Sequence, residues 1–309
     1  MKFLVTGAAG QLGYDVLREL KKRNYEAVGT DLAEENETNS YVSMDITDEI
    51  CMRDTLERIR PEVVVHCAAW TNVDGAEEPE NQKKVWNINV EGTKNLARMC
   101  RKLDAKMIYI STDYVFDGQG NLPWKADSVK YGPRNFYGKT KLEGERAVQA
   151  VLDEYFIVRT SWVFGRNGNN FVKTMLRLGR KYEELRVVSD QVGTPTYTED
   201  LARLLIDMAE TDNYGCYHVT NEGGYISWYE FAMEIFRQSG ELGFLDYDKK
   251  CPKVYPVTSE EYGRSKAVRP LNSRLDRKKL QMADFQPLPD WKDALRRYLQ
   301  DLGEEGWDR

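Results

Sequence analysis

The stretch KFLVTGAAGQLGYDVLREL, residues 2–20, narrows the folds open to this chain more than any other. Its first part is apolar and β-branched and halts at glycine, the pattern of a buried strand. Its second part sets Leu12, Val16, Leu17 and Leu20 at helical spacing. Between them Gly7, Gly10 and Gly13 stand at G-x-x-G-x-x-G. So tight a turn needs residues without Cβ, so that backbone N–H groups at the helix N-terminus can close on a pyrophosphate. The spacing alone would also suit a plain strand-to-helix turn. A strand before it, a helix after it and an acid ending the next strand favour a dinucleotide.

The alternation continues down the chain. Strands are expected over 25–31, 62–68, 106–112 and 155–164, with helices over 48–60, 79–103 and 137–152. Strands alternating with helices mean βαβ units, right-handed crossovers and a parallel sheet. Runs such as EVVVHCA are apolar throughout, as strands covered on both faces must be. After Phe164 the regularity fades into a loop (RNGNN), a helix over 170–182, a short strand and a bend around Gly193-Thr194-Pro195. A helix with Asp200 in its first turn, a strand in GCYHVTN, a helix capped by Ser227 with Glu230 at capping-box spacing, and a last helix in DWKDALRRYLQDLG complete the chain. The expected fold class is therefore α/β: a Rossmann-type doubly wound parallel sheet with a smaller mixed α/β C-terminal substrate lobe. Residues 1–164 are expected to form the dinucleotide-binding domain, with 196–221 returning to it. Residues 165–195 and 222–309 are expected to form the substrate lobe.

Bulk properties exclude several classes. A net charge of −6 disfavours nucleic acid and acidic membrane surfaces as partners. The five cysteines are odd in number and form no C-x-x-C pair, which points to reduced thiols in the cytoplasm. Two histidines make a histidine-based metal cluster improbable, and no apolar run is long enough to span a bilayer. The acidic stretch LAEENETNS reads as a solvated loop.

Chemistry enters with NFYGKTKLEGE, residues 135–145, where Tyr137 and Lys141 lie one helical turn apart on one face. A tyrosine titrates near pH ~10 and is a poor proton donor at neutrality. A neighbouring ammonium is expected to lower that value. The phenol can then protonate a carbonyl oxygen as hydride reaches the carbon. Ser111 and Thr112 end the preceding strand and offer a hydroxyl to the same oxygen. Y-x-x-x-K arises by accident in many helices as a surface pair; here it follows a dinucleotide loop and a strand ending in Ser-Thr. Asp31 closes the strand AVGTD, where a carboxylate can accept from a ribose 2′-hydroxyl and repel a 2′-phosphate, so NADH is favoured over NADPH.

The stretches LVTGAAGQLG, HCAAWTNVDGAEEP, WNINVEGTKNLA, ISTDYVFDG, YGKTKLEGE, VRTSWVFG, DQVGTPT and RPLNSRLD run from residue 3 to about residue 276. Together they resemble the extended short-chain dehydrogenases/reductases, and most closely the dTDP-4-dehydrorhamnose reductases. The resemblance implies hydride transfer from NADH or NADPH to C4 of a nucleotide-linked keto sugar. It implies that Thr112, Tyr137 and Lys141 are the catalytic set and that Gly7, Gly10, Gln11 and Leu12 form the pyrophosphate loop. It places Asp31 at the ribose and Asp45 and Ile46 beside the adenine. Ala68, Ala69, Thr71 and Asn87 would line the cofactor, and Val73, Asp113 and Trp162 the sugar. Some reductases of this type form metal-bridged homodimers through glutamates. Asp15 is a nearby acid here, but that set does not map onto this sequence, so no metal is assigned. The chain departs from the pattern in Trp70 and Asn72 and in a longer segment between Thr112 and Tyr137. Two other readings stand beside this one: a non-catalytic regulatory subunit like the β subunit of methionine adenosyltransferase, and a reductase of another nucleotide-linked 4-keto-6-deoxy sugar.

Overall fold

The computed structural model describes residues 1–32, 41–244 and 252–305. The acidic stretch 33–40 and Cys251, both subjects of expectations above, lie outside the described residues. Seven strands form the central sheet: β1 (Lys2–Thr6), β2 (Glu26–Asp31), β3 (Tyr41–Ser43), β4 (Val63–His66), β5 (Lys106–Thr112), β6 (Tyr155–Thr160) and β7 (Gly215–His218). Their order is β7-β6-β5-β4-β1-β2-β3, and every neighbouring pair is parallel. The chain leaves β1 in one direction for β2 and β3, then crosses back to β4 on the other side. That reversal opens a crevice beyond the strand C-termini, where ligands of such sheets bind.

Helices cover both faces. Helix α1 (Gln11–Lys22) places Leu12, Val16 and Leu20 against Phe3 and Val5 of β1. The other face takes α2 (Glu49–Ile59), α3 (Pro79–Trp86), α4 (Thr93–Leu103) and α5 (Phe136–Val151). Leu4 points to that side, with Leu56, Leu96, Cys100 and Val148. Phe3 and Leu4 are neighbours in sequence but serve opposite cores, as the two-residue strand period requires. After α6 (Phe171–Lys181), the chain returns to the first face. There Leu201 and Leu205 of α7 (Thr198–Ala209) pack with Val16 and Leu20, and β7 pairs with β6. A separate core of Phe164, Leu176, Phe231, Ile235, Trp291 and Leu299 joins α6, α8 (Trp228–Glu241) and the last helix, Trp291–Glu305.

Three elements depart from the expectations. The helix expected over 79–103 is not continuous α-helix: Asn87–Gly92 widens into a π-helical segment between α3 and α4. Within it Asn89 accepts from Trp70 N (2.8 Å) and donates to Thr140 Oγ1 (3.0 Å), bonds that tie the segment to the cleft wall and to α5. Such insertions often mark functional sites. The strand expected over 155–164 ends at Thr160, and Val163–Phe164 pairs instead with Thr196–Tyr197. Trp162, at the break, has φ +50°. The short strand β3 carried no readable pattern of its own.

Candidate active site

One cleft of about 1350 Å³ lies over the C-terminal ends of the central strands. The sequence-predicted residues all line it: Gly7, Gly10, Gln11, Leu12, Asp31, Asp45, Ile46, Ala68, Ala69, Thr71, Val73, Asn87, Thr112, Asp113, Tyr137, Lys141 and Trp162.

The glycine loop shows why those positions are glycine. A Cβ on Gly7, which has φ +70°, would stand 2.6 Å from Ala68 N. One on Gly13 would stand 2.1 Å from Gly7 O. Gly10 caps α1 without a side-chain hydrogen bond, which leaves the helix N-terminal amides to a ligand. The loop therefore fits a dinucleotide pyrophosphate. Asp31 braces it, since Oδ2 accepts from Ala9 N (3.0 Å) and Oδ1 from Leu32 N (2.7 Å). From the other lobe, Asn167 donates to Ala9 O (2.6 Å) and Asn170 to Gln11 Oε1 (3.2 Å). Asp45 Oδ1 accepts from Thr47 N and Oγ1, both at 2.8 Å, which shapes the wall beside Ile46.

Tyr137 stands at the start of α5, capped by Asn135, whose Oδ1 accepts from Gly138 N at 2.8 Å. Its phenol sits beside Thr112, at the end of β5. The expectation that Lys141 acidifies this phenol is not what the site shows. Burial pushes the phenol well above the ordinary tyrosine range, the Asp113 carboxylate and Tyr114 push the same way, and only the Thr112 hydroxyl opposes them. Lys141 is itself buried: it is 3% exposed, its Nζ lies 4.1 Å from the centre of the Tyr109 ring, and burial brings its ammonium down to about 7 against the pull of Glu145 and Cys67.

The two hydroxyls ending β5 have different partners. Ser111 donates to Glu145 Oε1 (2.6 Å), a carboxylate held on both oxygens by buried Arg159, at 2.8 and 2.6 Å. Thr112 Oγ1 donates to Asp113 Oδ1 (3.1 Å) and accepts from Tyr114 N (3.2 Å). The remaining Asp113 oxygen, Oδ2, is buried without a hydrogen-bond partner among the described residues. Burial pushes this carboxyl up to about 7, against Ser273 and Thr112. Asp15 is likewise buried; the Thr198 hydroxyl donates to it and Arg18 lies 3.3 Å away. Among the described residues no group of three or more His, Cys, Asp or Glu is arranged to hold a metal ion.

Trp162 projects into the cleft from a left-handed backbone that bulky residues avoid, at a cost of about 1–3 kcal/mol. Its neighbours hold it. Ser161 Oγ donates to Thr194 O (2.9 Å), and Thr196 N donates to Trp162 O (3.1 Å).

Sequence reasoning assigned no role to Trp228 or Arg269, which also line the cleft. Arg269 lies in the quoted motif RPLNSRLD; its guanidinium meets Asp74 Oδ2 at 2.7 Å and Tyr114 Oη at 3.3 Å. Trp228 opens α8 and read only as an amphipathic-helix aromatic. Lys83 and Lys84 of α3 were missed as well, because they look like ordinary surface lysines.

Residues 1–304 match the family model described as the RmlD substrate binding domain. The spore coat polysaccharide biosynthesis protein SpsK of Bacillus subtilis (strain 168) is 40% identical over 97% of each chain. A solved dTDP-4-dehydrorhamnose reductase from Clostridium acetobutylicum ATCC 824 is 42% identical, with a TM-score of 0.88 over 98% of this chain and 100% of that one. Another from Bacillus anthracis str. Ames, solved in complex with NADP, is 38% identical, with a TM-score of 0.86 over 97% of this chain and 100% of that one. With the cleft of the sheet, the full-length match and these identities in agreement, the chain belongs to the dTDP-4-dehydrorhamnose reductase family.

Proposed function

We propose that the protein uses a nicotinamide cofactor to reduce the C4 ketone of dTDP-4-dehydro-L-rhamnose, giving dTDP-L-rhamnose, with Tyr137 as general acid. The observation that carries this reading is the meeting of Tyr137, Thr112 and Lys141 on the cleft that also holds the glycine loop. A bound reduced nicotinamide supplies hydride to the carbonyl carbon. The chain's own groups handle the oxygen. The phenol carries its proton at neutral pH, and an alkoxide forming beside it is a stronger base than a phenolate, so the proton passes to the sugar oxygen. Thr112 orients the same oxygen, and Asp113, buried on the cleft beside it, suits a sugar hydroxyl. Lys141 is placed to hold the nicotinamide ribose.

A second cavity of about 710 Å³ adjoins the cleft at Trp228 and Arg269. Arg134, Arg186, Arg264 and Lys266 line it, donors suited to a diphosphate. We assign cofactor binding to residues 1–164 with 196–221, and the sugar nucleotide to 165–195 and 222–309. Asp31 supports NADH over NADPH. The free thiols among the described residues support the cytoplasm, and no described helix is long and apolar enough to cross a membrane.

Steady-state kinetics with dTDP-4-dehydro-L-rhamnose generated in place, with NADH and with NADPH, tests the reading. Turnover with this sugar supports it. Turnover only with another nucleotide-linked 4-keto-6-deoxy sugar moves the substrate, and none with any such sugar moves the protein to a binding role.

A further inference from the structure

We infer that Trp228 positions the substrate: it backs Trp162 and forms the wall shared by the hydride-transfer cleft and the adjoining cationic cavity. The inference rests on the function proposed above and adds a residue to it.

Trp162 and Trp228 are stacked, with ring centroids 3.8 Å apart and planes 15° from parallel. A Cβ on Gly193 would lie 3.0 Å from the Trp162 ring, so the bare glycine leaves the indole its room beside Trp228. Gly193 and the residues that lead into Trp228 belong to one small ladder, since Ile226 and Ser227 pair antiparallel with Gly193 and Val192. Trp228 follows directly as the first residue of α8, whose start is set by a capping box between Ser227 and Glu230. Behind it Phe171 packs at 4.5 Å. The ladder, the cap and the phenylalanine thus hold the Trp228 ring, and the ring holds a strained Trp162.

Location gives the stack its consequence. Trp162 lines the cleft alone, whereas Trp228 lines both the cleft and the cationic cavity. A sugar placed at Tyr137 with its diphosphate among the arginines must pass this wall. The glycine loop and Asp31 follow β1 and β2 whereas Trp228 opens α8, and the cofactor contacts assigned above do not include Trp228. Substrate affinity should therefore depend on Trp228 while cofactor affinity does not.

Trp228→Leu and Trp228→Phe are compared with wild type in kinetics with the keto sugar nucleotide and with far-UV circular dichroism, where stacked indoles give an exciton couplet. Wild type should show the couplet, and both variants should lose it. Trp228→Leu should raise KM for the sugar nucleotide by about 3- to 10-fold, the scale of one aromatic stack. Its KM for the nicotinamide cofactor should stay within about 2-fold of wild type, because uniform substrate binding is what has been removed. Trp228→Phe, which keeps a ring face, should recover most of the sugar-nucleotide KM. An unchanged KM in Trp228→Leu, a parallel rise in both KM values, or a wild-type spectrum without the couplet would overturn the inference. If Trp228→Leu does not fold, Trp228→Met, which keeps more of the volume but no ring face, takes its place and is judged by the same two KM values. Wild-type inactivity on every keto sugar would instead sink the proposed function, and the couplet would still report the stack.

Discussion

Lys141 lies one helical turn from Tyr137 on α5 and is buried. Four residues after a tyrosine it reads as an acidifying cation; in the fold it is a buried amine near neutrality, facing the Tyr109 ring on β5, Cys67 after β4 and Glu145 one turn on. Burial raises the Tyr137 phenol above its ordinary range, and no lowering by Lys141 offsets it. Replacing Tyr137 with Phe removes the proton but not the cleft. We expect kcat to fall by at least ~10²-fold while cofactor affinity is nearly unchanged, as read by steady-state kinetics and cofactor titration. A variant at the wild-type rate would assign the proton to another group. Asp31 braces Ala9 N, and in the proposed function it also meets the cofactor ribose. Asp31→Ala should narrow any preference for NADH over NADPH, measured as the ratio of kcat/KM values; an unaltered ratio would remove Asp31 from cofactor discrimination.

Among the elements, those that match the expectations carry strong local signals: glycine after a strand, a capping box before a helix, apolar runs buried on both faces. Those that do not match are decided by neighbours. The widened turn at Asn87–Gly92 lies within an unbroken helical pattern, and its anchors, Trp70 N and Thr140, come from elsewhere in the chain. The strand over 155–164 breaks after Thr160, the partner of the last β5 residue, where Ser161 and Trp162 bond to Thr194 and Thr196 instead. Helix α8 is a case where local and tertiary roles meet. Removing its cap with Ser227→Ala should cost about 1 kcal/mol of stability in denaturant titration. Because α8 starts at Trp228, the same variant should raise KM for the sugar nucleotide above that of wild type. A normal KM alongside the stability loss would show that the cap serves the helix alone.

For the molecule as a whole, buried titrating groups of opposite sense set the pH response. Burial holds His66 and His218 down to about 3, so protons taken up by the unfolded chain below about pH 6.5 erode stability as pH falls. Burial raises Asp15 to about 6 and Asp113 to about 7, so these groups favour the fold as pH falls through the same window. The two pairs oppose each other between pH 6 and 4.5. Asp113→Asn removes one opposing group. Its stability should fall more steeply with acidification than that of wild type, by about 1.4 kcal/mol per pH unit, in denaturant melts across that range. Equal slopes would show that Asp113 titrates normally. The sequence by itself determined the parallel sheet, the glycine loop and many of the residues of the cleft, because glycine conformations, strand periodicity and one-turn spacing are local. Only the tertiary structure decided the burial of Tyr137 and Lys141, the left-handed Trp162 against Trp228 and the place of Arg269. Desolvation, stacking and ion pairing are set by which distant segments pack around a group, and no spacing along the chain encodes that.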